Sequence, residues 1–401
     1  MRIFYSIVDN FPPYRVDVAD LFGRCLARMG VEIEWYMARD KMGKCGTEFF
    51  EGQKTNLPTR FASNSLPAKV ANKIFYWYCD MLGLLKCFFK PLDFIQVRDK
   101  YLAALLGLFV ARVKGVKFIY WCSYPFPEHD LESVLIEKGV KRYFYFSRGW
   151  FGKLVLYRFV IPLGDHAFVQ SEQMKRDIAA YGVPESKMTP VPMGVPEKIF
   201  ATAQVKPTVI QSGQIVYIGT LAAVRRLHVL IEAFAEVHMH CPDARLVVVG
   251  DGDAPWERAS LEQLTRQLGL DQVIRFTGFL PIEQAWEIAA AAQCCISPIY
   301  PTPVLNAGSP TKLVEYMALG RPVVCNDHPE QLEIIKESGA GLCVPWGKDE
   351  FAEAMIWMLE HPEEAEVMGA KGPAWVAANR TYPILAEMVW RKYQEILQAT
   401  A

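Results

Sequence analysis

QIVYIGTLAAVRRLHVLIEAFAEVHMHCPDARLVVVGDG, residues 214–252, decides the architecture of this chain. An apolar run at 214–218 stops at Gly219. Helical spacing of apolar residues follows at 226–238, and a second apolar run at 245–249 stops at Gly250. Strand, glycine turn, helix and strand make the βαβ unit of a parallel sheet. Toward the C-terminus the pattern continues with helices at 256–268, 282–290, 312–319, 331–336, 348–360 and 382–399, and strands at 273–277, 293–298 and 322–326. Toward the N-terminus, strands at 2–8, 31–37, 94–97, 117–122, 166–170 and 188–192 alternate with helices at 16–29, 102–114 and 172–181, with a turn at 10–13. Residues 40–66 read as polar and irregular. Residues 196–212 mix Pro, Thr, Gln and Ser without period and read as a linker. The expected fold is α/β, with two Rossmann-like domains of doubly wound parallel sheet: residues 1–195 and 213–380.

Composition agrees with that division. At 401 residues the chain is long enough for two or three domains of about 150 residues each. With 51% hydrophobic and 22% charged residues it has the balance of a packed globular protein, which excludes disordered, collagen-like and coiled-coil classes. The net charge of −1 gives no support to nucleic-acid binding. It hides an asymmetry: residues 1–200 carry 28 basic and 20 acidic residues, and the remainder 15 and 24. Halves of +8 and −9 fit two domains with different tasks. The ten cysteines include no C-x-x-C pair and no zinc spacing, and the start lacks a basic n-region and cleavage site. Reduced thiols in a cytoplasmic protein are the expectation. The longest uncharged stretch, residues 288–311, holds four prolines and cannot form a spanning helix.

In open α/β sheets ligands sit beyond the carboxyl ends of the strands. Four turns of the second half lie there. The first, Gly219-Thr220-Leu221-Ala222-Ala223-Val224-Arg225-Arg226, combines a glycine, a helix start and two forked cations, a set suited to phosphate. It reads equally as a plain turn with a basic, solvated helix start. The second holds Gly250 in a lone G-x-G, usually a tight turn. The third carries Phe279 and Leu280, whose backbone could meet a base edge. The fourth, SPTKLVEYMALGRPVV at 309–324, is the most informative. Ser309 is a cap candidate, Pro310 and Thr311 open a helix, and Lys312 and Leu313 add a charge and an amide at its anion-attracting end. Glu315 lies one turn in, on the side of Thr311 and Lys312. A carboxylate beside an anion site is costly unless it accepts hydrogen bonds from a neutral polyol such as ribose. The alternative is a simple pairing with Arg321 or Lys312.

With these residues in view the sequence resembles a family-4 glycosyltransferase of the GT-B superfamily. The resemblance rests on Val169-Gln170-Ser171-Glu172, Val191-Pro192-Met193-Gly194-Val195, Tyr217-Ile218-Gly219-Thr220-Leu221, Val248-Val249-Gly250-Asp251-Gly252, Phe276-Thr277-Gly278-Phe279, Ser297-Pro298 and the 312–324 segment. It implies two Rossmann-like domains facing across a cleft, the first taking an acceptor and the second a nucleotide sugar, with residues 381–401 crossing back as a helix to the first. It implies transfer with retention of configuration and without a metal or other cofactor. Glu315 then matches the second acid of the family's E-x7-E element, which holds ribose. Arg225 matches the lysine position that grips diphosphate, Gly219 the glycine before the family's arginine, and Phe279 the residue whose backbone meets the base. Two positions depart from the pattern. Ala307 stands where the first acid would be, and Thr220 where the arginine would be; Lys312 and Arg226 are placed to compensate.

On this reading Arg225, Arg226, Lys312 and the amides at 309–311 stabilise the charge developing on a leaving diphosphate. In the first half, the turn with Asn10, Pro13 and Arg15 would line the acceptor site, and Arg15 could meet an acceptor phosphate. Ser123 sits where the family places a histidine, and His129 follows six residues on. Two stretches, residues 69–90 and 138–158, interleave basic and aromatic residues, the composition of a peripheral membrane surface. They are also compatible with helices packed on their own sheet. Membrane contact would imply a lipid-linked or other glycan acceptor at the inner face of the cell membrane, as in bacterial surface polysaccharide assembly. The rivals are a nucleotide-sugar epimerase of the same fold and a non-catalytic partner subunit of a glycosyltransferase complex.

Overall fold

The computed structural model describes residues 1–62, 65–136, 138–205 and 209–399. It divides into two units, Met1–Pro192 with Tyr382–Ala401, and Met193–Thr381. The first unit is built on β1 (Arg2–Phe11), β2 (Glu32–Arg39), β3 (Gly46–Phe50), β4 (Gln53–Leu57), β5 (Phe94–Arg98), β6 (Lys117–Cys122), β7 (His166–Val169) and β8 (Met188–Pro190). They pair in the order β3-β4-β2-β1-β5-β6-β7-β8. Every pair is parallel except β3 with β4.

Two parts of this unit correct the sequence reading. The first strand runs to Phe11, and Asn10, read as a turn residue, pairs with Ala38. Residues 40–66 are not irregular: they hold the β3–β4 hairpin. Its turn, Glu51-Gly52, has φ of 49° and 77°, the two left-handed residues that a tight hairpin needs to match strand twist. Trp35 of β2 fixes the hairpin by donating Nε1–H to Gln53 Oε1 at 2.9 Å and by an edge contact to Phe50 at 6.4 Å. Polar composition concealed it because most of its outward face is in water.

The helix Tyr382–Gln398 belongs to the core of this first unit. Tyr393 packs on Phe94 and Phe168, with ring centroids 5.1 and 5.6 Å away. Its hydroxyl donates to Gln96 Oε1 in the middle of β5 at 2.6 Å. Burying such an aromatic is worth about 1.5–3 kcal/mol, which anchors the last helix.

The second unit is a six-stranded, wholly parallel sheet of β9 (Gln211–Ile218), β10 (Arg245–Val249), β11 (Ile274–Gly278), β12 (Ala292–Ser297), β13 (Val323–Asn326) and β14 (Gly341–Val344). Period-two alternation feeds two cores. Val216, Val247 and Cys295 face Trp286, Leu313 and Tyr316, while Ile215, Tyr217 and Val248 face Phe234, Phe351 and Met355. The stretch read as a linker instead carries the helix Lys198–Val205, whose Ile199 is buried in the same cluster as Trp286. Residues 206–208 of that stretch lie outside the described residues. Strand β14 and the helix Pro362–Asn379 were not foreseen.

The strand order is β11-β10-β9-β12-β13-β14. The chain builds outward from β9 to β11, then crosses back to β12 and builds the other way. Order therefore reverses between β9 and β12, and the crevice at their carboxyl ends is where such sheets take ligands.

Candidate functional site

Both sides of that crevice are tied to each other. The helix Thr311–Ala318 is fixed to the end of β9 by Tyr316, whose hydroxyl accepts the Ile218 N–H at 2.6 Å. Lys312 on the same helix donates Nζ–H to the hydroxyl of Tyr217 at 3.2 Å and lies 4.3 Å from its ring centroid. Tyr217 in turn donates to Thr220 O at 3.2 Å, and Thr220 Oγ1 accepts from Arg225 Nε at 3.0 Å. Arg226 lies over the ring of Tyr300, beyond β12, at 4.1 Å.

The sequence placed both arginines at a helix start. In the structure that helix begins at His228, and the arginines occupy the turn before it. Arg226 has φ of 50°, a left-handed residue that reverses the chain and carries its side chain to Tyr300. Sequence reasoning missed what holds the turn. Glu257 accepts the Ala223 N–H at 2.8 Å and the Ala254 N–H at 3.0 Å, and these bonds draw its carboxyl below the ordinary range.

Among the described residues, Arg225, Arg226 and Lys312 have no carboxylate oxygen within 4.0 Å. Burial and the repulsion of Arg225 pull the Lys312 ammonium well below the usual lysine range, with Glu315 opposing them. Among the described residues no side chain caps the first turn of the Thr311–Ala318 helix. Ser309, read as its cap, is used elsewhere: its hydroxyl donates to Glu330 Oε1 at 2.7 Å and accepts the Met193 N–H at 2.9 Å, while Arg380 holds the same Glu330 oxygen at 2.8 Å. Pro310 and Leu313 are buried, Leu313 in the core, so that what Leu313 can show a ligand is its main chain. Three cations and an uncapped helix end thus converge on one crevice, the electrostatics of an anion site.

Glu315 is buried beside them. Neither simple pairing forms: Arg321 is turned to the Ala292 carbonyl, and among the described residues Glu315 accepts from Trp286 Nε1–H at 3.3 Å. Burial pushes its carboxyl up to about 7, which the Trp286 bond and Lys312 only partly offset. A buried carboxylate with spare acceptor capacity is suited to neutral hydroxyl donors.

Glycines at the ends of three adjacent strands let the turns touch. Gly219 N–H donates to Val249 O at 2.9 Å and Gly250 N–H to Gly278 O at 3.1 Å. A Cβ on Gly250, at φ 134°, would stand 2.0 Å from Gly219 O. The G-x-G is therefore a close-approach device. Beyond β11, Phe279 is 83% exposed and Leu280 half-buried. A cavity of about 770 Å³ lies at the opposite, amino edge of β9 to β11 and contains none of these residues.

In the first unit the acceptor candidates meet a charge network that sequence reasoning did not foresee. Arg15 Nε is held by Asp17 Oδ1 at 3.2 Å and Asp9 Oδ1 at 3.8 Å. Fully buried Arg98 donates to Asp17 Oδ2 at 2.6 Å. Burial would raise the Asp17 carboxyl, but Arg98 and Arg15 outweigh it and leave it below its ordinary value. Ser123 gives both its N–H, at 3.0 Å, and its hydroxyl, at 2.5 Å, to Asp99. His129 Nδ1 lies 3.2 Å from the Tyr124 hydroxyl, and Pro13 is buried. Among the described residues no group of three or more His, Cys, Asp or Glu is arranged to hold a metal ion.

Two family models match nearly end to end. Glycosyltransferase Family 4 covers residues 18–198, and Glycosyl transferases group 1 covers 212–361. The chain belongs to the family-4 glycosyltransferases. Alpha-D-kanosaminyltransferase of Streptomyces kanamyceticus is 27% identical over 183 residues, 45% of this chain and 45% of that one. A putative colanic acid biosynthesis glycosyltransferase, WcaL, of Salmonella typhimurium is 29% identical over 47% of this chain and 46% of its own. The alignments thus span about half the length of these curated relatives. Among solved structures, sucrose-phosphate synthase from Thermosynechococcus elongatus superposes at a TM-score of 0.76 with 18% identity over the whole of both chains. Anabaena HepE in complex with UDP-glucose superposes at 0.68 with 14% identity over 98% of this chain and 100% of that one. The fold is GT-B.

Within this family-4 chain, Glu257, Trp286, Tyr217 and Tyr300 are the site residues that sequence reasoning passed over. Only Glu257 left a signal, the Pro255-x-Glu257 start of a helix in which the acid reaches back to the preceding turn.

Proposed function

We propose that this chain moves a glycosyl unit from a nucleoside diphosphate sugar to a glycan or lipid-linked acceptor of bacterial surface polysaccharide or glycolipid synthesis. A UDP-sugar is the first choice and a GDP-sugar the second. The observation that carries the reading is the cluster of Arg225, Arg226 and Lys312, without carboxylate partners among the described residues, around an uncapped helix start and beside buried Glu315. The cations are placed to take the charge that grows on the leaving diphosphate. Glu315 is placed to accept the two ribose hydroxyls. The C1–O bond to the diphosphate breaks, a C1–O bond to the acceptor hydroxyl forms on the same face, and the hydroxyl proton leaves with the diphosphate. Retention, independence of metal and of other cofactors, and the absence of a protein nucleophile are parts of this proposal. The relatives' names, a kanosaminyltransferase and a putative colanic acid biosynthesis glycosyltransferase, support glycosyl transfer, and the UDP-glucose held by HepE supports the donor class.

Thr220 fits the same reading, since the hydroxyl at the departed position anchors Arg225. A thermal-shift panel of UDP, GDP, ADP, TDP and CMP tests it. At a hundred times Kd, a ligand of the folded state adds about 2.7 kcal/mol, roughly 5–10 °C for a domain of this size. The expected result is a shift with UDP that Glu315→Ala and Arg225→Ala abolish. No shift with any of the five would overturn the reading in favour of a non-catalytic partner subunit.

A further inference from the structure

The helix Val140–Leu154 is built inside out for a protein surface. Its small side faces its own domain: Gly149 and Gly152 are buried. A Cβ on Gly149 would lie 2.9 Å from the Pro127 carbonyl oxygen, and one on Gly152 2.9 Å from the Tyr101 ring. Its large side faces out. Tyr143, Phe146 and Trp150, spaced three and four residues apart and therefore on one stripe, are 76%, 55% and 58% exposed. A helix that covers a core does the opposite.

The stripe does not stand alone. The helix Tyr101–Lys114 packs on β5 and β6, touches the turn of helix that continues from Leu154, and touches the helix Leu66–Lys86 on its other side. It exposes Phe109 and Val113, each 61%. The helix Leu66–Lys86 exposes Ile74 and Trp77, 58% and 47%, beside exposed Lys69 and Lys73. One helical layer of the first unit is thus apolar and aromatic toward solvent.

We infer that this layer docks on the surface of an anionic lipid bilayer, with the aromatic stripe lying in the headgroup zone. Charge selects that occupant over a protein partner. No acid occurs between Lys138 and Arg158. Lys138, Arg142 and Arg158 are exposed, with no carboxylate within 4.0 Å among the described residues. Residues 1–200 carry a net +8. Basic residues at the edges of an aromatic face suit lipid phosphates and headgroups together. No helix among the described residues is long and apolar enough to cross a membrane, so the contact is in-plane. The inference is independent of the donor reading.

Sedimentation with vesicles of phosphatidylcholine alone, or mixed with phosphatidylglycerol, tests it on the full chain. The chain should pellet with the anionic vesicles and stay in solution with the neutral ones. Tyr143→Ser, Phe146→Ser and Trp150→Ser together should cut partitioning at least tenfold with the unfolding transition unchanged, because these side chains point to water. Should that variant fail to fold, Arg142→Gln with Arg158→Gln is the second probe, expected to lose about fivefold per charge. Equal binding to both vesicles, no binding, or wild-type partitioning by the variant that folds would overturn the inference. So would a stripe variant that dissolves a dimer of this chain and leaves vesicle binding intact.

Discussion

Glu315→Gln separates the two things burial does to this carboxyl. In the free protein it accepts from Trp286 at 3.3 Å, and burial pushes its pKa from the ordinary 4.5 to about 7. A gap of about 2.5 units corresponds to about 3 kcal/mol. Between the two values the folded chain holds a proton that the unfolded chain has released. The stability contribution is therefore fully present below about pH 4.5 and is lost as pH rises through about 7. Glutamine keeps the shape and does not titrate. Denaturant unfolding should show the wild type falling by about 3 kcal/mol relative to Glu315→Gln between about pH 5 and pH 8.5. UDP should show the reverse preference. Ribose hydroxyls bond best to the ionised carboxylate, so wild-type affinity should tighten as pH rises through about 7. Hydrogen bonds to a charged group are worth about 1.5–3 kcal/mol, so the glutamine variant should bind UDP about 10- to 150-fold more weakly at high pH. Parallel stability curves would refute the account of burial. Unchanged UDP affinity by titration calorimetry would refute the ribose assignment.

Two neighbours make further tests. Glu257→Ala leaves the Ala223 and Ala254 amides without their acceptor, so it should cost about 1–3 kcal/mol in chemical unfolding and weaken UDP binding through the loosened arginine turn. Because its carboxyl is held below its ordinary value, the wild-type contribution is present above about pH 4.5 and fades below it, so the two proteins' unfolding curves should converge in acid. Gly250→Ala forces a Cβ to within 2.0 Å of Gly219 O at a backbone angle that L residues rarely adopt; a loss of at least about 1–3 kcal/mol, read as a lowered melting temperature, is expected, and wild-type stability would contradict the close-approach assignment.

Most of the second sheet was legible because β9, β10, β11 and β12 are short, largely apolar runs ended by a glycine or proline, and the helices between them repeat at the period that covers such a sheet. The β3–β4 hairpin was not, since Thr47-Glu48-Phe49-Phe50 and Lys54-Thr55-Asn56 read as polar until Trp35 supplies the partner. The helix Lys198–Val205 escaped for a related reason: among its described side chains Ile199 alone is buried, too little for a period to show. At the site, sequence spacing brought Lys312 and Glu315 to one helix end but could not tell Ser309 the cap from Ser309 the partner of Glu330, because that choice depends on a residue 21 positions away. Nor could it find Trp286 or Tyr300, which reach the crevice from other elements.

The two departures from the family pattern offset each other in charge: Ala307 removes an expected negative charge and Thr220 an expected positive one. Ala307, 2% exposed at the end of the helix Pro303–Asn306, puts a methyl group where the resemblance expects a carboxylate. Thr220 puts a neutral anchor under Arg225. With Glu315 about half protonated near neutrality, the crevice of the free protein holds Arg225, Arg226 and Lys312 against less than one full negative charge. Such an arrangement is costly to keep: Lys312 is drawn toward its neutral form by burial and repulsion, and a carboxyl is held about 2.5 units from its ordinary value. A chain that served only as a passive partner would gain stability by relaxing either strain, through a methionine at 312 or a glutamine at 315. A diphosphate resolves both at once, restoring the ammonium and offering ribose hydroxyls to the carboxylate. That economy is the physical reason to favour a working donor site, and it predicts that the substitutions which most stabilise the free chain are the ones that most weaken its hold on UDP.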